Sequence, residues 1–181
     1  MTSVKPSDRT ASLVFKLFLY GALTVACMYL IYRLSAQSGT ESSALSTKVA
    51  KVLAGILYVG FDSFGEADKL EILRNISLPV RKAAHMTEYA VLGGLASATM
   101  WQLVQLVSKD RASVSFSSIA GFVIAAGYAC TDELHQVGVA GRAGEFTDVL
   151  IDSCGAFIGI VIVACVLYLG AMGWRRANKQ H

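Results

Sequence analysis

The chain has 181 residues, of which 54% are hydrophobic and only 16% charged, with 16 Lys and Arg against 13 Asp and Glu. A soluble domain carries about 25% charged residues, so this depletion, with a mean hydropathy of +0.52, points to an integral membrane protein. The net charge of +3 gives no case for a nucleic-acid partner, and residues 1–181 are read as one domain.

Residues 1–10 form a polar tail with Lys5 and Arg9. The first apolar span covers about residues 11–32, and about 20 such residues cross a bilayer. Lys16 near its start can reach the interface through its own methylene stem. A cleaved signal peptide is the rival reading. Its apolar stretch would be overlong and no good Ala-x-Ala site follows, so a retained helix is expected. Next comes a polar patch, Ser35 to Ser43, with loop or helix-cap chemistry.

Leu45, Val49, Val52, Leu53, Ile56 and Leu57 then recur at helical spacing, with Lys48 and Lys51 on the other side. Two readings stay open for this segment: an amphipathic helix on the membrane surface, or a small helix packed on the bundle. Phe61 to Ile76 is mixed and acidic, with a short helix predicted over 67–76. Ser77 is predicted to cap a new helix with Pro79 in its first turn, giving a second span over about 83–107.

A short polar link, 108–115, leads to the third span at about 116–137. The glycine-rich stretch 138–144 reads as a tight turn, the fourth span as about 148–173, and a basic tail follows. Trp101, Trp174, Tyr58 and Tyr168 read as interface anchors, Gln102 and Gln105 as interfacial, and Gly93 and Gly94 as marks of close helix contact. Cys27, Cys130, Cys154 and Cys165 all fall in apolar runs outside any Cys-x-x-Cys pair and read as buried small hydrophobes. The predicted fold is all-α: an integral membrane four-helix bundle with an interfacial helical segment between its first two helices.

Four spans put both termini on one side. Each side holds eight Lys and Arg, so the raw count decides nothing. Arg81 and Arg142 are better assigned to a polar cluster than to the sorting signal, and other cations lie far from helix ends, where their weight drops. Cytoplasmic termini are therefore expected.

That topology gathers the chain's strongest polar groups at one membrane face. On the second span Arg81, His85 and Glu88 recur at i, i+4 and i+7, with Tyr89 beside them. On the third, Tyr128, Asp132, His135 and Gln136 share a face, and Glu133 points about 100° away from Asp132. On the fourth, Asp148 and Asp152 align with Gly155 and Gly159, a small-residue ridge that admits a close neighbour. Ionisable groups at the mouths of membrane helices are costly and mark function.

Together, Ser35-Ala36-Gln37-Ser38-Gly39, Arg81-Lys82-Ala83-Ala84-His85 with Glu88-Tyr89, Asp132-Glu133-Leu134-His135-Gln136, Arg142, and Asp148-Val149-Leu150-Ile151-Asp152 with Gly155 and Gly159 resemble the VanZ-like family over about residues 30–160. The chain departs from that family's usual pattern at Ala140, where proline is common, and at Asp152, where asparagine is. The resemblance implies a handful of membrane helices and an association with resistance to the glycopeptide teicoplanin, but supplies no reaction.

Five carboxylates (Glu88, Asp132, Glu133, Asp148 and Asp152) face two arginines and two histidines, so some acid is expected to hold a proton, a cation or an amine-bearing ligand. Four readings follow. Arg81 and Arg142 could pair with acids as a structural latch. The cluster could instead bind an envelope lipid or lipid-linked precursor through its guanidinium groups. An enzyme could use His85 and Glu88 with Asp132 and His135 as general base and orienting carboxylate. A metal could bind the i, i+3 pairs His85/Glu88 and Asp132/His135. The binding role is the reading adopted, with membrane lipids as partners. No cofactor and no metal ligand is assigned, and the oligomeric state is left open.

Overall fold

A computed structural model describes residues 6–108 and 113–177, with side chains at 8–108 and 113–170. Lys5, Lys109, Arg111 and Lys179 lie outside the described residues, and the Trp174, Arg175 and Arg176 side chains outside the described side chains.

Five helices and one 3-10 turn make up the described chain: α1 (Pro6–Ser35), α2 (Gly39–Leu57), the turn Phe61–Ser63, α3 (Glu66–Val107), α4 (Val114–Gln136) and α5 (Phe146–Ala177). Four of them, α1, α3, α4 and α5, are long and apolar enough to cross a membrane. The fold is an all-α membrane bundle.

α3 is its axis and packs against each of the other four helices. It is one helix of 42 residues, not the two predicted from Pro79. Proline removes one backbone donor and usually ends or kinks a helix. Here Ser77 does not cap; its Oγ donates back to the Leu73 carbonyl. The Pro79 ring is exposed, so the helix carries on past it with α2 alongside, where Thr47 Oγ1 and Ser77 Oγ lie 3.4 Å apart. At 1.5 Å per residue α3 is about 63 Å long, roughly twice a ~30 Å hydrocarbon layer.

α2 begins at a capping box. Ser38 Oγ accepts from the Glu41 N–H at 3.3 Å, and the Glu41 carboxylate accepts from the Ser38 N–H at 2.9 Å. Its small residues, Ser42, Ser46, Ala50 and Ala54, are buried, while Leu45, Val49, Val52 and Ile56 are exposed. The reading of a small helix packed on the bundle holds, through the small residues, and the apolar stripe is left uncovered.

Glycine lets the long helices meet backbone to backbone. A Cβ at Gly155 or Gly159 would overlap the carbonyl oxygens of Met86 or Ala90 on α3, and one at Gly93 would stand 2.5 Å from the Ala156 carbonyl oxygen. The predicted ridge is therefore the α3–α5 seam. Tyr89, Leu92, Ile31, Ala125, Ala129 and Ala156 form the core beside it.

Two smaller expectations fail. Cys130, Cys154 and Cys165 are exposed, not buried, because the outer faces of these helices are as apolar as the core. Gln102 is buried inside the bundle at the far end from the polar cluster, not interfacial.

Candidate polar pocket at the bundle mouth

The parallel run of α3 and α5, with α4 returning between them, brings the N-terminal part of α3's spanning half, the end of α4 and the start of α5 to one end. The elbow between α1 and α2 closes over that end. Gly39 N–H donates to the Ala140 carbonyl at 3.0 Å, and a side chain at Gly39 would overlap the Gly141 carbonyl oxygen. Gly141 itself sits at φ 73°, the left-handed region that glycine tolerates best. Beneath the elbow lies a cavity of about 240 Å³ lined by Arg81, Lys82, His85, Gln136, Arg142, Glu145 and Asp148, among others.

The cations of this mouth are held mostly by neutral acceptors. Arg142 donates from Nε to the Gln37 carbonyl and from a terminal nitrogen to Gln136 Oε1, each at 3.1 Å. Arg81 donates to Ser43 Oγ at 3.1 Å, and its buried Nε has no partner. Among the described residues neither arginine lies within ion-pair distance of a carboxylate. The latch reading, in which the arginines pair with acids, is met only by Lys82, whose Nζ bonds Asp148 Oδ1 at 2.5 Å. Burial first, and then the Arg81 charge, pull the Arg142 guanidinium below its usual value. Arginine nevertheless stays charged at any physiological pH. Two like charges therefore share one mouth.

Beneath the mouth is a floor of acids. Asp132 is 4% and Glu133 6% exposed, and both face inward. Asp132 accepts from Gln136 Nε2 at 3.2 Å, and Glu133 accepts from the Glu145 N–H at 2.9 Å, bracing the start of α5. His85 Nδ1 and Glu88 Oε2 stand 3.9 Å apart, too far for a hydrogen bond. Tyr89 and Asp152 are 0% exposed. Among the described residues the Tyr89 hydroxyl, both Asp152 oxygens, Glu88 Oε2 and His85 Nδ1 find no hydrogen-bond partner. Asp152 lies within electrostatic reach of Glu133, Asp132, Asp148 and Glu88, and His85 of Arg142, Asp132, Asp148 and Arg81.

Two of the predicted residues on α4 are arranged differently. His135 is exposed and its ring lies against Tyr32, centroids 5.0 Å apart, outside the cavity. Glu133, predicted to point away from Asp132's face, is inside because α4 has α3 on one flank and α5 on the other. Tyr128 turns to α1 and donates to the Met28 carbonyl at 2.7 Å. With His135 turned out, the two i, i+3 pairs do not converge; among the described residues no group of three or more His, Cys, Asp and Glu is arranged to hold a metal ion.

Sequence reasoning passed over Lys82, Ser43 and the Gln37 carbonyl. Lys82 lies i, i+3 from His85 and could have been placed on that face. The other two are visible only once the elbow folds over the mouth.

A family model described as VanZ/LLP1 matches residues 20–168. The chain belongs to the VanZ/LLP1 family. The match runs from within α1 into α5 and so contains every residue of the mouth and floor. Comparison with curated proteins and with solved structures returned no match. Within this VanZ/LLP1 chain, the family-like segments 35–39, 81–89, 132–136 and 142–152 all contribute to one end of the bundle.

Proposed function

We propose that this VanZ/LLP1 protein binds the anionic head of an envelope lipid or lipid-linked precursor in the mouth cavity. The observation that carries the reading is the pair Arg81 and Arg142, both charged, half-buried and free of carboxylate partners among the described residues. A guanidinium in that state suits phosphate or carboxylate, which it can grip with two parallel bonds. Cavity size supports a headgroup over a whole glycan, since about 240 Å³ falls below the ~300–1,000 Å³ of sites for larger ligands.

Depth supports it too. Counting back about 20 residues from Val107 along an upright α3 spans the hydrocarbon and ends near Glu88. Arg81 and Lys82 then stand about 10 Å further out, at the level of lipid phosphates. The mouth faces outward from a cytoplasmic membrane in this reading. Through its ligand the protein affects susceptibility to glycopeptides such as teicoplanin, the trait suggested by the family likeness.

Native mass spectrometry of protein extracted with its lipids tests the proposal. An anionic lipid retained by the parent and lost from Arg81→Ala and Arg142→Ala, at unchanged membrane abundance, supports it. Equal retention in all three overturns it. Loss of the protein itself from the membrane in both variants favours a structural role. Conversion of a lipid component, abolished by His85→Ala and Glu88→Gln, identifies an enzyme.

A further inference from the structure

We infer that Asp152 and Glu88, beneath the mouth, form a proton-binding site whose occupancy sets the affinity of the mouth for an anion. The coupling rests on the anion reading above; the proton site stands without it.

The first observation is burial without donors. Asp152 is 0% exposed, and neither of its oxygens receives a hydrogen bond. Glu88 Oε2 is also buried and unpartnered. An ionised carboxylate removed from water needs donors or a counter-charge, and otherwise keeps its proton. The second observation is Tyr89, also 0% exposed, whose unpartnered hydroxyl lies within electrostatic reach of Asp132 and Asp152. A protonated carboxyl and a phenol can each donate and accept, so one added proton removes the buried negative charge and gives the carboxyl a donor of its own.

Among the described residues the charged groups that act on Asp152 are all acids. Glu88 and Tyr89 face it from α3, Asp132 and Glu133 from α4, and Asp148 from its own helix. Of these Asp148 is taken by Lys82. Glu88 is faced by Asp132 from α4, by Arg142 from the turn, by the Cys27 thiol from α1 and by His85 on its own helix. Among the described residues Arg142 is the permanent cation that acts on Glu88, and it is also a ligand of the mouth. An anion that engages Arg142 withdraws that positive field from Glu88 and favours its proton. By linkage the proton must favour the anion equally.

The test uses the full chain in nanodiscs of zwitterionic lipid, with sulfate as the anion, because its charge stays constant between about pH 5 and pH 9. Infrared spectra of the parent at neutral pH should contain a protonated carboxyl band that Asp152→Asn removes. Sulfate affinity should rise about tenfold on acidification, the effect expected when one unit charge ~10 Å away is neutralised. In Glu88→Gln it should stay near the acid value at every pH. Glu88→Gln also serves where Asp152→Asn fails to fold. A parent without the carboxyl band, or with a band that neither variant removes, overturns the proton site. So does a sodium requirement for stability that Asp152→Asn abolishes, which would put a metal cation there. Affinity that loses its pH dependence in His85→Gln but keeps it in Glu88→Gln places the proton on the imidazole and also refutes the inference. A carboxyl band with no sulfate binding at any pH supports the proton site and overturns the anion reading and the coupling alone.

Discussion

The same substitution, glycine to alanine, is expected to act with opposite signs at two helical positions. At Gly93 on α3 the new Cβ would stand 2.5 Å from the Ala156 carbonyl oxygen and 2.8 Å from its Cα, both rigid backbone atoms of α5. Overpacking costs about 1–3 kcal/mol, and a backbone neighbour that cannot rotate away puts this case near the upper end. Alanine's better helix propensity returns about 0.8–1.0 kcal/mol, leaving a net loss of about 2 kcal/mol. At Gly127 on α4 nothing lies within 4 Å of the added carbon, so only the propensity gain remains, about 0.8–1.0 kcal/mol. For a chain of this size the midpoints should fall by about 4–8 °C in Gly93→Ala and rise by about 2–4 °C in Gly127→Ala. Circular dichroism melts of both variants in one detergent measure this. Shifts of the same sign would refute the close seam between α3 and α5.

Other expectations are simpler to check. Lys82 and Asp148 are each about a third exposed, at 37% and 33%, so a double-mutant cycle with Lys82→Met and Asp148→Asn should give a coupling of about 1 kcal/mol or less. Arg142→Ala removes the donors to Gln37 and Gln136 and should cost about 2–4 kcal/mol, with faster proteolysis of the 138–144 turn. Ser38→Ala should cost about 1 kcal/mol through the lost cap, read as reduced helicity. The Glu41 carboxyl is held below its ordinary value by hydrogen bonds from the Ser38 side chain and backbone. Its folded value is thus lower than its unfolded one, so its contribution is present above the unfolded value and fades as acid protonates it in place. Helicity that drops on acidification in the parent should drop less in Glu41→Gln.

Much of the bundle was legible because membrane helices must satisfy their own backbone, which leaves run length and apolarity as direct readouts. Gly155 and Gly159 announced the seam, since four-residue spacing puts both on one face. Pro79 misled because the packing of α3 against its neighbours outweighs the local cost of one proline, and local sequence does not state that packing. His135 and Glu133 show a different limit. Helical periodicity fixes the angle between adjacent side chains but not which of them meets a second flanking helix. Pairing of the arginines with acids was one of the readings left open, since acids outnumber them. Two of their acceptors, the Gln37 carbonyl and Ser43, belong to the elbow and the first turns of α2, about forty residues before Arg81 and about a hundred before Arg142. No periodicity encodes that approach.

The outward stripe of α2 carries one more implication. Leu45, Val49, Val52 and Ile56 are exposed, while Ser43 on the same helix holds Arg81. Where that stripe rests on lipid, α2 is a lever with its other arm on a guanidinium. Thinning, bending or stripping the surrounding bilayer would tug at Arg81 without any molecule entering the cavity.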